Sequence, residues 1–155
     1  MSIKDYAKLR PETEIEQCDC ATISEIYLVY TLTRNPIHCA ECRGPIDPER
    51  LQLSAKEVGS IAQCFSVYDA LYDLWLDSGE YEAYAKEKLL DPLGQVNQAG
   101  LALAEELSDS YPTYYWWFHD AGADGEPTQC PACHGALDRS VRWAAGKCEA
   151  CRVVV

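Results

Sequence analysis

Eight of the nine cysteines in this chain fall into close pairs, and that spacing limits what the ends of the chain can fold into. The tail reads C-P-A-C-H-G from Cys130, then runs fourteen residues past Cys133 to C-E-A-C, which begins at Cys148. A two-residue gap lets one tight turn present two sulfurs to one metal ion, and two such turns on neighbouring strands complete a tetrahedron. The separation of the pairs is that of a zinc ribbon. Cys130, Cys133, Cys148 and Cys151 are therefore predicted to hold one structural zinc. With four cysteine ligands the site is closed and has no open position to activate water.

Other chemistries compete for these residues. Cys130-Pro-Ala-Cys133-His134 also spells the c-type haem attachment sequence, but haem leaves Cys148 and Cys151 unexplained. The same stretch could be a thioredoxin-like redox pair, although such a pair opens a helix after a strand and Gly135 argues against that. Buried thiols without a metal are the third alternative.

The front of the chain repeats the pattern less regularly. Cys18-Asp-Cys20 and Cys39-Ala-Glu-Cys42 are separated by eighteen residues with a strand-like stretch between them. Cys18, Cys20, Cys39 and Cys42 are predicted to hold a second zinc, with Gly44 supplying a left-handed backbone after the second pair. The alternative is that two of the four are plain core thiols. His38 flanks the site, and Cys64 is read as a core residue.

The middle is helical by pattern. Ser54 and Glu57 form a capping-box signature. Behind them Val58, Ile61, Ala62, Phe65, Tyr68, Leu71, Tyr72 and Trp75 recur at three- and four-residue steps, one apolar face of a long helix. Asp77-Ser78-Gly79 ends it. Glu80 to Leu90 predicts a second helix. Asp91-Pro92 opens a third, with Pro92 in the first helical position, running to about Ser108. Gly94 and Gly100 weaken it. Strands are predicted at Ile23–Thr33, Thr113–Phe118, Leu137–Trp143 and Arg152–Val155. Residues 121–128 read as a flexible linker. The fold class is therefore α+β. A polar lead-in (1–17) precedes a ribbon-like part (18–53), a helical region with an aromatic strand (54–119) and a C-terminal ribbon (129–155).

Charge decides which partners are plausible. Thirteen basic residues face 25 acidic ones, a net charge of −12. Residues 129–155 hold four basic and two acidic residues, +2, and residues 1–128 hold nine basic and 23 acidic, −14. The body repels phosphate and attracts a basic protein surface. The cluster Asp69, Asp73, Asp77, Glu80 and Glu82 is the candidate contact for such a partner; a plain solvated helix face is the alternative. Nucleic-acid binding is the second functional reading. It would use Arg139, Arg142, Lys147 and Arg152, with Tyr115 and Trp117 as the candidate members of the aromatic strand stacking on bases; packing of the aromatics in the core and a plain solvated ribbon surface are the alternatives.

No catalytic motif is present: there is no phosphate-binding glycine loop and no H-E-x-x-H, so the chain is expected not to be an enzyme. The first residues carry no apolar run, and no stretch approaches the roughly 18 apolar residues of a membrane span. A cytoplasmic address without membrane association is expected, where paired thiols stay reduced and bind metal.

The segments PIHCAECRGPI (36–46), LWLDSGEYEAYA (74–85), VNQAG (96–100), YPTYYWWFH (111–119) and CPAC with KCEACRVV at the end resemble an uncharacterised bacterial family described as zinc-ribbon-containing, with a suggested role in nucleic-acid binding. The resemblance spans about Cys18 to Val154. It implies metal ligands at Cys130, Cys133, Cys148 and Cys151, and more weakly at Cys18, Cys20, Cys39 and Cys42. The family tends to place Gly and then Trp after the second tail cysteine, where this chain has His134 and Leu137.

Overall fold

The computed structural model describes residues 9, 16–30 and 33–155. The polar lead-in therefore lies mostly outside the described residues, as do residues 31 and 32 of the first predicted strand. The chain is α+β, with a helical middle and strands bearing cysteine groups at both ends.

Five short strands form one mixed sheet. They are β1 (Ile26–Leu28), β2 (Ile37–Cys39), β3 (Thr113–Trp116), β4 (Lys147–Cys148) and β5 (Val153–Val154), in the spatial order β2-β1-β3-β5-β4. Each outer pair is an antiparallel hairpin carrying one cysteine group. The central β3 runs parallel to β1 on one side and to β5 on the other. The two ribbons are thus not separate modules: the aromatic strand joins them edge to edge.

Strand alternation sorts the aromatic run between two faces. Leu28 lies beside Tyr115, and Tyr115 beside Val153, on the face that the helices cover. Tyr27, Tyr114, Trp116 and Val154 belong to the opposite face.

Three helices cover the first face. The capping box at Ser54 and Glu57 forms as the sequence predicts and starts α1 (Ala55–Asp77). Tyr68 of α1 packs at a tilt against Tyr30 and edge-on against Tyr115, while Trp75 meets Phe118 edge-on with ring centres 4.8 Å apart. Gly79, at φ +65°, turns the chain into α2 (Glu82–Leu90). The third helix, α3 (Gln95–Leu107), is continuous through Gly100. That glycine is required by contact, since a Cβ there would sit 2.5 Å from the ring of Tyr115.

Pro92 does not open α3. The Asp91 side chain accepts the backbone N–H of Leu93 at 3.0 Å and Asp91 O accepts that of Gly94 at 3.1 Å, so Pro92 lies in a turn and Gly94 becomes the N-cap. The predicted strand at Leu137–Trp143 is reduced to isolated bridges, Gln129 with Ala136 and Asp138 with Lys147. Asp138 accepts from both the backbone N–H and the hydroxyl of Ser140, and that local turn takes the chain off the sheet. The predicted linker contains a short helix, α4 (Ala121–Asp124), which Lys86 of α2 holds through Asp120 and Asp124.

Candidate metal centres

The fold gathers the eight paired cysteines into two groups of four. Cys18, Cys20, Cys39 and Cys42 form one, and Cys130, Cys133, Cys148 and Cys151 the other; within each, the ligand sulfurs all lie within 4.8 Å of one another. A metal about 2.3 Å from each of four sulfurs sets them roughly 3.8 Å apart. Cys133 Sγ and Cys148 Sγ are 3.8 Å apart. All nine cysteines are free thiols, and Cys64, half-buried on α1, belongs to neither group. The donor set and its spacing fit a closed tetrahedral site at each end.

Both C-x-x-C turns use the same backbone scheme. Cys39 N donates to Gly44 O and Arg43 N to Cys39 O, at 2.9 and 2.8 Å; Cys130 N donates to Gly135 O and His134 N to Cys130 O, at the same two distances. The N–H groups of Gly44 and Gly135 point at Cys42 Sγ and Cys133 Sγ, at 3.3 and 3.4 Å. Such donors stabilise thiolates. The residue in the left-handed region is Arg43 (φ 64°) and His134 (φ 61°), not the glycine that follows. Gly44 has a different role from the one expected: a Cβ there would stand 3.0 Å from Cys18 N, so its missing side chain admits the C-x-C arm.

That arm is held by a residue the cysteine spacing does not reveal. The Arg50 guanidinium donates to Cys18 O at 2.7 Å and also to Cys20 O, while Cys18 N donates to Pro45 O at 2.8 Å. The only available signal was a lone arginine after Asp47-Pro48, in a 3-10 turn spanning Pro48–Leu51. Residues that orient ligands typically matter 10–100-fold in metal affinity. Arg50→Ala is expected to weaken metal binding at the first site by about tenfold or more and leave the second unchanged. Competition against a chromogenic chelator, which resolves the two sites by their release, checks this.

His38 is not a ligand. Its Nδ1 faces Arg43 O and its Nε2 faces Asn35 O, both at 2.9 Å, so the ring buttresses the first turn from outside. The thiols of each group crowd one another. Contacts with Cys18 and then Cys42 push the Cys20 thiol up to about 12. Four thiolates so close together need a cation among them.

The proposed contact residues divide sharply. Tyr115 and Trp117 are both 0% exposed, on the face under the helices, which corrects their reading as exposed stacking residues. Tyr115 donates to Asn97 Oδ1 at 2.8 Å. Tyr114 and Trp116 lie on the opposite face of the sheet, where Tyr114 is buried and Trp116 half-buried. Lys147 is also misread as a surface cation. Its ammonium lies 4.6 Å over the Tyr114 ring and pairs with Glu149 and Glu25 at 3.0 and 3.4 Å. Burial works against that charge, but the Glu149 hydrogen bond and its neighbours outweigh it and hold the Lys147 pKa above the ordinary lysine value. Arg139 is bound to Glu126 and Arg142 to Glu41, at 3.2 and 3.7 Å. Arg152, at φ 54°, is half-buried behind Cys151.

The acidic cluster is open by contrast. Asp73, Asp77, Glu80 and Glu82 are exposed around the α1–α2 turn, with Asp69 half-buried one turn earlier. Leu76 on α1, Tyr81 in the turn and Tyr84 on α2 are each more than half exposed. Comparison of the chain with family models, curated proteins and solved structures gives no match. Among the described residues, no helix is long and apolar enough to cross a membrane.

Proposed function

We propose that this protein is a non-catalytic interaction protein, braced by two structural zinc ions, that docks a basic protein partner on the surface around the α1–α2 turn. A closed tetrahedral set of four thiolates suits zinc, which such ligands hold without redox chemistry. The observation that carries the docking role is the combination at that turn: exposed carboxylates at Asp73, Asp77, Glu80 and Glu82, the last also accepting the Gly79 N–H, beside exposed Leu76, Tyr81 and Tyr84. Carboxylates steer a basic partner and suppress acidic ones, while tyrosines supply rigid contact area. The nucleic-acid reading loses support because Tyr115, Trp117 and Lys147 are buried and Arg139 and Arg142 are paired with carboxylates.

The test is binding of an amphipathic peptide of leucine, lysine and arginine, with a single-stranded oligonucleotide in parallel. Neutralising Asp73, Asp77, Glu80 and Glu82 together is expected to weaken peptide binding at least tenfold. Tyr81→Ser with Tyr84→Ser, which keeps every charge, is expected to weaken it as well; that arm separates docking from simple charge attraction. Oligonucleotide binding that vanished on neutralising Arg139, Arg142 and Arg152 would replace this reading with the second one.

A further inference from the structure

Two lines of contact run from the tail ribbon to the first cysteine turn, and neither contains a metal ligand. The first starts at Trp143, in the loop between the two tail cysteine pairs. Its ring is nearly half exposed, yet its Nε1 donates to Glu41 O at 3.2 Å and the Arg43 guanidinium lies 5.9 Å from the ring centre. Glu41 stands inside the C-x-x-C turn of the first site, and Arg43 follows it directly. The second line starts at Lys147, the residue before Cys148. Its ammonium is 3.4 Å from the Glu25 carboxylate, and the Glu25 backbone carbonyl accepts the N–H of Ala40, again inside that turn, at 3.1 Å. We propose that these contacts couple the two metal centres, so that metal in the tail site raises the affinity of the first site for its own metal. The coupling rests on the metal reading above and deepens it.

The tail loop depends on its metal to deliver Trp143. At its base Asp138 and Lys147 exchange backbone bonds of 2.8 and 2.9 Å, and Val155 N donates to Gly146 O at 3.1 Å. Cys133 lies before that loop and Cys148 directly after it, so one ion ties both flanks together. Without that tie the ribbon keeps only the two residue pairs of β4 and β5, too few to hold a loop in place. The first turn then loses a hydrogen bond at Glu41 O and the ring over Arg43. Arg43 is the left-handed residue of that turn, and its N–H closes it onto Cys39 O at 2.8 Å. Groups that hold a ligating segment in shape act on metal affinity. Linkage makes the effect reciprocal: metal in the first site must raise the tail affinity by the same factor.

Other routes between the sites are weaker. Arg142 and Glu41 also span the gap, at 3.7 Å, but both side chains are more than half exposed and such a pair contributes little. The shared sheet runs through β3, which Tyr115 and Asn97 anchor to the helices whichever hairpin is formed. An opened hairpin on one side of β3 therefore leaves the other side its template.

The test titrates the metal-free, reduced full chain with Zn²⁺ against a chromogenic chelator. Cys133→Ser supplies the constant of the first site alone and Cys42→Ser that of the tail site alone. The overall constant for two zinc ions in the full chain should exceed the product of those two constants about fivefold or more. Trp143→Ala should cut that excess about threefold or more, the loss of one hydrogen bond and one cation–π contact. It should leave both single-site constants unchanged, because in each single-site chain one end of the contact is already unformed. Glu25→Gln, which keeps the backbone bond to Ala40, is the second variant and should also reduce the excess. Arg50→Ala acts within the first site, so it should lower the first-site and overall constants equally and leave the excess as it was. An overall constant equal to the product would overturn the coupling, as would an excess that neither Trp143→Ala nor Glu25→Gln reduces. A Trp143→Ala loss that appeared equally in a single-site constant would assign the ring a local structural role and overturn it too. A full chain that bound no zinc would instead overturn the metal reading itself, so the two failures are told apart.

Discussion

Stripping both metal ions from the chain should unfold its two ends and destroy the five-stranded sheet. Structural zinc sites supply about 10–16 kcal/mol of apparent folding energy each at neutral pH. A whole domain is stable by only about 5–15 kcal/mol. The hairpins that carry the cysteines are three and two residue pairs long, too short to persist unaided. Cys39 ends β2 opposite Ile26, and Cys148 pairs with Val153 in the outermost strand, so the ligands are themselves part of the ladders. The expected result is two zinc ions per chain by elemental analysis, and collapse of the near-ultraviolet aromatic signal when a strong chelator removes them. Cys42→Ser and Cys133→Ser alter exposed ligands. Each should leave one zinc per chain. Because the bound thiolates must be deprotonated, the metal should be released as the pH falls. A metal-free chain that kept its thermal midpoint would show that the sulfurs are close without being needed.

The predicted ligands were legible in the sequence because zinc geometry turns directly into spacing. Both groups assemble from the cysteines that the spacing selects. The α1 boundaries were legible for a similar reason, since the capping box and the glycine turn are local signals that nothing overrides. Features set by long-range contact were not legible. Arg50 reaches back about thirty residues to the first cysteine pair, and no local pattern announces that. The surface aromatics were assigned to the wrong strand face because alternation fixes which residues share a face, not which face is covered. Parallel pairing of β3 on both sides decided that, and it was invisible in the local pattern. Gly100 was taken as a weak point in α3, whereas it is the place where the Tyr115 ring rests on the helix.

That contact leads to the residue whose loss should most damage the helical half. Asn97→Ala is expected to destabilise the protein by about 3–5 kcal/mol, from one or more buried partners losing a hydrogen bond worth about 1–3 kcal/mol each. Asn97 is fully buried at the start of α3. Its amide donates to Leu89 O and Asp91 O, both at 2.9 Å, and its Oδ1 accepts from the Tyr115 hydroxyl at 2.8 Å. One side chain thus joins the end of α2, the turn before α3 and the central strand. Truncation leaves the two carbonyls and the buried phenol with no replacement. Asn97→Asp tests the direction of these bonds: a carboxylate still accepts from Tyr115 but cannot donate to the carbonyls, and its charge is buried, so it should be at least as damaging as alanine. In a double-mutant cycle with Tyr115→Phe, the Asn97–Tyr115 pair should show a coupling of about 1 kcal/mol, with the rest of the Asn97 loss persisting in the phenylalanine background. Chemical denaturation of the zinc-loaded chain measures all four corners. A loss that vanished once the phenol was gone would mean that Asn97 serves the strand alone and does not hold the two helices together.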